Sequence, residues 1–395
     1  MLIPTEPIWI DEDAQLADLC QRWRQQAAIA VDTEFMRTDT FYPIAGLIQI
    51  GDGKGCYLID PLAIKDFEPL RQLMLDTHVT KVLHACSEDL EVFQRLLDLV
   101  PEPLFDTQLA AAFAGYGFSL GYAGLVKATL NTEIPKAETR SDWLARPLSA
   151  AQLKYAALDV AHMLVVYGKL LQSLKANGRL EWVRADCAEL VVNARRHDDF
   201  SRTYHKVGLA WKLRPQELMV LRELCIWREI EARDSNVPRN RLAKETALWE
   251  MARKQPRDRG QLQKIADLPS RSLNDHADQL LDIIAQSAAA PESEWPPRLP
   301  FPLSLDEGPL LKQLKKTARE IAEGLDVPVE ALVRKKDYEF LVRSARRGEF
   351  ELPERLTGWR KPLLGEPLLA AAREYIRLHP SGSVASESSD SETSE

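Results

Sequence analysis

The sequence lacks the features that mark secreted, membrane-spanning and P-loop proteins. No apolar run reaches the roughly 18 residues needed to cross a bilayer, and the first residues show no basic-then-apolar signal pattern. The five cysteines are scattered and form no CxxC pair, which argues against a disulfide framework or a zinc site. A GxxxxGKS/T motif is also missing. We therefore expect a cytoplasmic protein with reduced thiols and no membrane contact.

An overall excess of basic charge is lacking too, because the 395 residues carry a net charge of −8. The charge is unevenly spread, however. Between Arg195 and Asp275 there are 18 Lys and Arg against 12 Asp and Glu, whereas residues 381–395 hold four acids and no base. A basic middle segment in an otherwise acidic chain suits a metal enzyme that holds a phosphate chain.

Short apolar runs, broken by Gly, Asp and Pro, predict an α/β domain over residues 1–180, with strands over 28–35, 47–51, 56–60 and 81–84. The GDGKG segment predicts a hairpin between the second and third of these strands. Ser87 is the predicted N-cap of the first of four helices, over 88–99, 107–113, 121–130 and 149–176.

After residue 180 the strand signals nearly vanish, and the pattern predicts two all-α domains, over 205–290 and 303–378. Five prolines within residues 291–302 predict a linker, and the polar, acidic tail over 379–395 predicts disorder. The two helical domains look like divergent copies. Val237-Pro238 and Val327-Pro328 are 90 positions apart, and each pair lies a few residues after an Arg-Glu-Ile tripeptide.

The first chemical signal is Asp32-Thr33-Glu34 at the end of an apolar strand. Residues two apart on a strand share a face, so Asp32 and Glu34 are expected side by side. Adjacent carboxylates repel unless a cation lies between them. This pattern alone is weak, because a polar strand end carries no necessary function.

The second and third signals lie on predicted helices. Asp89 falls in a first helical turn, where an acid also complements the helix dipole. Tyr155 and Asp159 are four apart, which places them on one helix face, one turn from each other. Taken together with the strand pair, they give four carboxylates on three elements. Oxygen-only ligands suit Mg²⁺ or Mn²⁺, and four carboxylates can hold two such ions for phosphodiester hydrolysis.

These positions resemble the three Exo motifs of the DEDD exonuclease superfamily, in its Tyr-bearing branch. The surrounding strings are similar to the bacterial ribonuclease D family, and the helical copies resemble the HRDC domains of that family. The strings are VDTEFMRTDTFYP (31–43), HACSEDLEVF (84–93), FDTQLAAAF (105–113) and SDWLARPLS (141–149). The resemblance covers nearly the whole chain except the acidic tail.

The resemblance implies an RNase-H-like mixed sheet flanked by helices, followed by two HRDC-like domains. It implies a 3′-5′ exoribonuclease that releases 5′ mononucleotides from RNA with a single-stranded 3′ end, tRNA precursors included. Asp32, Glu34, Asp89 and Asp159 would be the ligands of two divalent ions, and Tyr155 would orient the attacking water. A monomer is the favoured oligomeric state.

Further residues are candidates for gripping the RNA: Phe41, Tyr42, Gln49, Lys136, Arg140 and Trp143. An aromatic ring can stack on a terminal base, and a cation can meet a phosphate. For each of them the alternative is ordinary packing or a solvated loop charge. Asp106 is expected to cap a helix, and His84 and Cys86 to pack near the strand end rather than to act as nucleophiles.

Two other functions remain open at this point. A DNA exonuclease of the same superfamily would use the same carboxylates, although no polymerase body or helicase motif accompanies them here. A non-catalytic RNA-binding scaffold is the other alternative, and the intact set of four carboxylates with Tyr155 argues against it.

Overall fold

The computed structural model of the chain describes residues 3–135, 141–195 and 199–379. It consists of two compact units, Met1–Phe301 and Pro302–Glu395, each with its own packing. None of the described helices combines the length and the apolar character needed to cross a membrane. The tail predicted over 379–395 lies, after His379, outside the described residues.

A six-stranded mixed sheet forms the centre of the nuclease domain, in the order β1-β4-β3-β2-β5-β6. The antiparallel pairs β2-β3 and β3-β4 include the predicted hairpin, and the other three pairs are parallel. The strands are β1 (Pro7–Ile10), β2 (Ala28–Met36), β3 (Ile44–Gly51), β4 (Cys56–Ile59), β5 (Thr80–Leu83) and β6 (Leu104–Asp106). The predicted mixed sheet is therefore confirmed, with β1 and β6 as additions.

Successive side chains along each strand point to opposite faces of the sheet, and apolar side chains are buried on both faces. Helices therefore cover both faces. One set, which includes Val31 and Ile48, packs against α1 (Asp13–Trp23), α2 (Glu68–Leu75) and α3 (Ser87–Leu97). On the other face, Leu47 and Leu58 pack against α6 (Ala150–Ala161). The remaining helices are α4 (Thr107–Phe113), α5 (Tyr122–Leu130), α7 (Met163–Ala176) and α8 (Leu180–Arg195).

The structure corrects two details of the predicted helices. The helix predicted over 149–176 is two helices, α6 and α7, separated at His162. α6 packs on β2, β3 and β4, whereas α7 packs on β2, β5, α4 and α5, so the two helices have different neighbours before and after His162. Helical periodicity does not record such a change, because both helices bury apolar faces. The N-cap of α3 is Cys86 rather than Ser87, and it makes no side-chain cap.

A helical domain completes the first unit. Its helices are α9 (Pro215–Asp234), α10 (Arg239–Leu242), α11 (Glu245–Lys254), α12 (Arg259–Leu262) and α13 (Ser270–Ala289). Leu221, Leu248 and Leu280 are among the residues that form its core. Leu299, in the proline-rich segment predicted as a linker, packs against this core. Phe41 of the nuclease domain belongs to the same core, so the two domains share buried apolar surface.

The second unit has a similar order of helices: α14 (Gly308–Gly324), α15 (Val329–Leu332), α16 (Lys335–Arg346) and α17 (Glu366–Leu378). α10 and α15 are each four residues long, and each begins directly after the proline of a Val-Pro pair. Asn236 and Asp326, ninety positions apart, both adopt a left-handed φ of 49° just before that pair. The sequence repeat therefore corresponds to a repeated local structure.

Candidate active site

Asp32 and Glu34 lie on β2, in the middle of the sheet. Asp32 pairs with Gln49 of β3, and a bulge follows between Glu34 and Phe35. Strand alternation directs both carboxylates to the α6 face and Thr33 to the opposite one. The two acids are half-buried and share a face, as their spacing predicts.

Asp89 is positioned by the turn between β5 and α3. Ala85 in this turn has a φ of +55°. Asp106 accepts hydrogen bonds from the backbone N–H groups of Ala85 (3.2 Å) and Cys86 (2.9 Å), and it also caps α4 through Gln108 and Leu109. The predicted capping role of Asp106 is thereby confirmed, and the same carboxylate also fixes the start of α3. Asp89 is 7% exposed and lies in the first turn of that helix.

α6 carries Tyr155 and Asp159, and two glycines of β3 let this helix and the segment before it lie directly on the sheet. A Cβ on Gly51 would come within 2.7 Å of the Val160 carbonyl oxygen, and one on Gly46 within 2.6 Å of the Trp143 carbonyl oxygen. A capping box between Ser149 and Gln152 starts the helix. These contacts bring the helix face with the tyrosine and the aspartate over β2 and β3.

An ion pair anchors the segment that leads into α6. The Arg146 guanidinium donates two hydrogen bonds to the buried Asp60 carboxylate, at 2.8 and 2.6 Å, and one to the Gly46 carbonyl at 2.7 Å. A planar guanidinium can bridge a carboxylate and a strand carbonyl at once because its donors form a fixed fork. The start of α6 is therefore tied to both β3 and the end of β4.

Three of the four carboxylates, Asp32, Glu34 and Asp159, have pKa values raised by burial and by the charges of other acids in the cluster. Burial, followed by the charges of Asp89, Asp159 and Glu34, raises the pKa of Asp32 well above its usual range. Burial is also the largest cause that raises the pKa of Glu34 to about 8, and the pKa values of Asp89 and Asp159 to about 7. Carboxylates from a strand and two helices are thus close enough to resist simultaneous ionisation.

This donor set fits hard divalent cations. All four groups offer only oxygen, and one Asp159 carboxylate oxygen (Oδ2) is buried without a hydrogen-bond partner. The Tyr155 hydroxyl is near enough to Asp159 to affect its pKa. Within the described ranges, no three His, Cys, Asp or Glu side chains are already drawn together as a metal cage. The four carboxylates are therefore near one another without forming a ready-made metal-binding cage.

Sequence reasoning missed three polar side chains at this site. The Thr33 hydroxyl donates a 2.5 Å hydrogen bond to Asp89 and so links β2 to α3. Tyr122 begins α5, and burial followed by the charges of Asp159 and Asp32 raises the pKa of its hydroxyl. His162, at the break between α6 and α7, has a buried Nδ1 without a partner. Only Thr33 had a sequence signal, as a hydroxyl between the two motif acids.

The structure contradicts three of the predicted RNA contacts. Phe41 is 7% exposed and packs in the core of the first helical domain. Gln49 is fully buried beside Asp32, and neither its amide nitrogen nor its amide oxygen has a partner. Trp143 is 3% exposed, with its ring 6.1 Å from that of Tyr155. These side chains are enclosed by neighbouring helices, so they are not surfaces for a base.

The other three predicted contacts have different outcomes. Tyr42 is half-buried, and its ring lies under the Arg95 guanidinium at 4.5 Å. Lys136 and Arg140 lie outside the described residues. His84 and Cys86 are packing residues, as expected. The His84 ring bonds Thr107 and the Leu120 carbonyl, and Cys86 is fully buried.

Comparisons with known proteins agree with this architecture. A family model described as 3′-5′ exonuclease matches residues 7–175, and an HRDC domain model matches residues 217–284. Ribonuclease D of Pseudomonas paraeruginosa is 50% identical over 364 residues, which cover 92% of this chain and 96% of that protein. Ribonuclease D of Escherichia coli is 35% identical over 372 residues, covering 93% and 98%.

A solved structure is similar over the same length. The crystal structure of Escherichia coli RNase D, an exoribonuclease involved in structured RNA processing, has a TM-score of 0.85 and 34% identity, covering 94% of this chain and 99% of that one. Fold and family match together define a 3′-5′ exonuclease. The chain belongs to the ribonuclease D family, and it is a 3′-5′ exoribonuclease. The DNA exonuclease and the non-catalytic scaffold are accordingly disfavoured.

Proposed function

We propose that Asp32, Glu34, Asp89 and Asp159 are the catalytic ligands of two divalent ions, Mg²⁺ or Mn²⁺. The observation that carries this proposal is the convergence of four carboxylates from β2, α3 and α6, close enough that the other three raise the pKa of Asp32. Bound cations relieve such a cluster. When bound, they supply Lewis-acid activation of water and neutralise the charge that builds on the phosphate.

Tyr155 positions the water in this proposal. Burial, followed by the charge of Asp159, raises the pKa of its hydroxyl far above neutrality, so the group keeps its proton. A protonated hydroxyl orients a water molecule through a hydrogen bond and does not remove a proton from it. Trp143 packs beside the Tyr155 ring and restricts its orientation. The presence of this tyrosine supports membership of the Tyr-bearing branch of the superfamily.

The proposed domain organisation is a nuclease domain over 1–180, HRDC-like domains over 205–290 and 303–378, a linker over 291–302 and a tail over 379–395. The second HRDC-like domain is supported by the Val-Pro repeat and by the four-residue helices α10 and α15. A repeated segment of helices is one structural unit, and it buries an apolar face against the helices around it. The same sequence pattern is therefore expected to give the same local fold in both copies.

The proposed substrates are structured RNAs with a single-stranded 3′ end, including tRNA precursors, which are shortened one 5′ mononucleotide at a time. The basic balance between Arg195 and Asp275 supports contact with a phosphate backbone. The Escherichia coli relative, described as acting in structured RNA processing, supports the same substrate class. A monomer in the cytoplasm is part of this proposal, and the five buried free thiols support the cytoplasmic location.

The metal-free protein is expected to lose thermal stability as the pH rises from about 5 to 8. An unfolded carboxyl has a pKa near 4, whereas Asp89 and Asp159 have values of about 7 in the folded chain. The folded state therefore binds more protons between these values, and its stability falls until the folded pKa is passed. Mg²⁺ or Mn²⁺ should restore the melting temperature most at the alkaline end.

Melting temperatures in EDTA and in Mg²⁺ across this pH range test the prediction. Other titrating groups contribute their own slopes, so the wild type is compared with Asp32→Asn, which removes one of the repelling charges. A shallower pH dependence in the variant supports the cation site. Equal slopes in the two proteins, with no pH-dependent gain from Mg²⁺, would contradict it.

A further inference from the structure

A cavity of about 690 Å³ lies between the nuclease domain and the first helical domain, inside the first unit. The loop after β2 and the outer side of α3 form one wall, and α9 and α10 form another. Five arginines line it, against the two acids Glu91 and Asp98: Arg37, Arg95, Arg195, Arg233 and Arg239. Five guanidinium groups therefore lie around one cavity in a chain whose net charge is −8.

Four of the five arginines are held by carboxylates, and Arg195 is one of them, paired with Glu102 at 2.7 Å. Arg37 pairs with Glu91 at 2.6 Å, and the buried Glu229 pairs with both Arg233 and Arg239, at 2.7 and 2.6 Å. The guanidinium carbons of Arg233 and Arg239 also lie 4.6 and 4.7 Å from the centre of the Phe41 ring. Five guanidinium groups against Glu91, Asp98, Glu102 and Glu229 leave this wall a net positive charge around a buried aromatic residue.

Arg95 differs from the others. It is exposed in the last turn of α3, and the described parts of the chain give it no carboxylate partner. Its guanidinium lies 4.5 Å from the centre of the Tyr42 ring. Stacking on an aromatic ring orients a guanidinium and leaves the N–H groups around its edge able to bind an anion.

The chemistry of this cavity fits a phosphate ester. A guanidinium fork matches the oxygens of a phosphate, and a half-buried tyrosine offers an aromatic edge beside it. The volume is within the range of sites that hold nucleotide-sized ligands. Arg95 follows Asp89 by six residues on α3, which is about 9 Å along the helix axis. A strand whose 3′ end lies at Asp89 therefore needs only a few nucleotides to reach the cavity.

We propose that this cavity binds the phosphates of the RNA strand a few nucleotides before its 3′ end, with Arg95 as the principal contact. The inference rests on the proposed function, because the strand must enter with its 3′ end at the four carboxylates. Under this proposal, the junction between the nuclease domain and the first helical domain makes the enzyme prefer longer RNA strands, which the catalytic site alone would not do.

Binding and cleavage by the full chain test this assignment, with Arg95→Gln compared with Arg22→Gln. Arg22 is a matched control, because it is exposed in the last turn of another eleven-residue helix, α1. A labelled single strand of about ten nucleotides is titrated in EDTA at several salt concentrations. For one lost phosphate contact, binding by Arg95→Gln should be about fivefold weaker near 0.1 M salt, and the log–log salt slope smaller by about 0.7.

Cleavage in Mg²⁺ then separates the cavity from the catalytic site. The loss in kcat/KM for Arg95→Gln should be several-fold larger on the longer strand than on a dinucleotide, whereas Arg22→Gln should match the wild type. An unchanged salt slope, or equal losses on both substrates, would overturn the proposal. Weaker inhibition by a free 5′ mononucleotide with unchanged RNA binding would assign the cavity to the released product instead. Failure of the wild type to cleave either RNA would refute the proposed function rather than the cavity.

Discussion

Asp159→Asn is expected to lower the turnover of a single-stranded RNA by about a thousandfold, the upper end of the range seen when one group that stabilises transition-state charge is removed. The substitution keeps the shape of the side chain and removes one of the four carboxylates. Binding of RNA in EDTA should remain close to that of the wild type, because the proposed phosphate contacts involve other residues. Single-turnover cleavage and equilibrium binding measure the two effects separately.

The same substitution should make the metal-free protein more stable near pH 8. Removing one buried carboxylate relieves the repulsion that raises the pKa of Asp32, whose causes include the charge of Asp159 after burial. Asp18→Asn, on the exposed side of α1, is the matched control and should change neither activity nor stability. Wild-type turnover in the Asp159→Asn protein would show that the ligand assignment is wrong.

Tyr155→Phe is expected to reduce kcat by about a hundredfold, the lower range for a group that orients or transfers a proton in the reaction. Phenylalanine keeps the ring that packs beside Trp143 and removes only the hydroxyl. KM and the Mg²⁺ concentration that gives half-maximal activity should change little, because the four carboxylates remain. Initial rates over a range of RNA and Mg²⁺ concentrations give all three quantities.

Two further measurements separate a positioning role of Tyr155 from a structural one. The melting temperature of Tyr155→Phe should stay near that of the wild type, and Tyr375→Phe in the second unit should leave every quantity unchanged. A falling limb in the wild-type pH–rate profile near neutrality that disappears in Tyr155→Phe would contradict the account. The raised pKa of the Tyr155 hydroxyl places its ionisation well above that range.

Local periodicity was enough to predict which of these side chains share a face within one strand or helix. The two-residue period of a strand puts Asp32 and Glu34 on one face, and the helical period puts Tyr155 one turn from Asp159. The cap at Asp106 follows from its position before a helix, and the structure confirms it. Each of these predictions depends only on residues a few positions apart, and such local patterns can be read from a single sequence.

The predictions that failed depend on contacts between distant segments. Phe41 follows the first motif, yet its surroundings include Arg233 and Arg239, about 190 positions later. Gln49 lies on the active-site face, as alternation requires, but α6 covers it. Trp143 is enclosed because Gly46 leaves room for the chain to lie on β3. Burial of this kind depends on tertiary contacts, which the composition and the periodicity of a sequence do not predict.

The most direct test of the central claim is a time course on a 5′-labelled RNA that has a tRNA-like stem and a single-stranded 3′ tail. It is run with Mg²⁺, with Mn²⁺ and with EDTA, beside a DNA strand of matched sequence. We predict stepwise shortening of the RNA from its 3′ end, release of 5′ mononucleotides, arrest near the stem and complete loss of cleavage in EDTA. Equal or faster loss of the DNA, or tight RNA binding without any shortening in either ion, would contradict it.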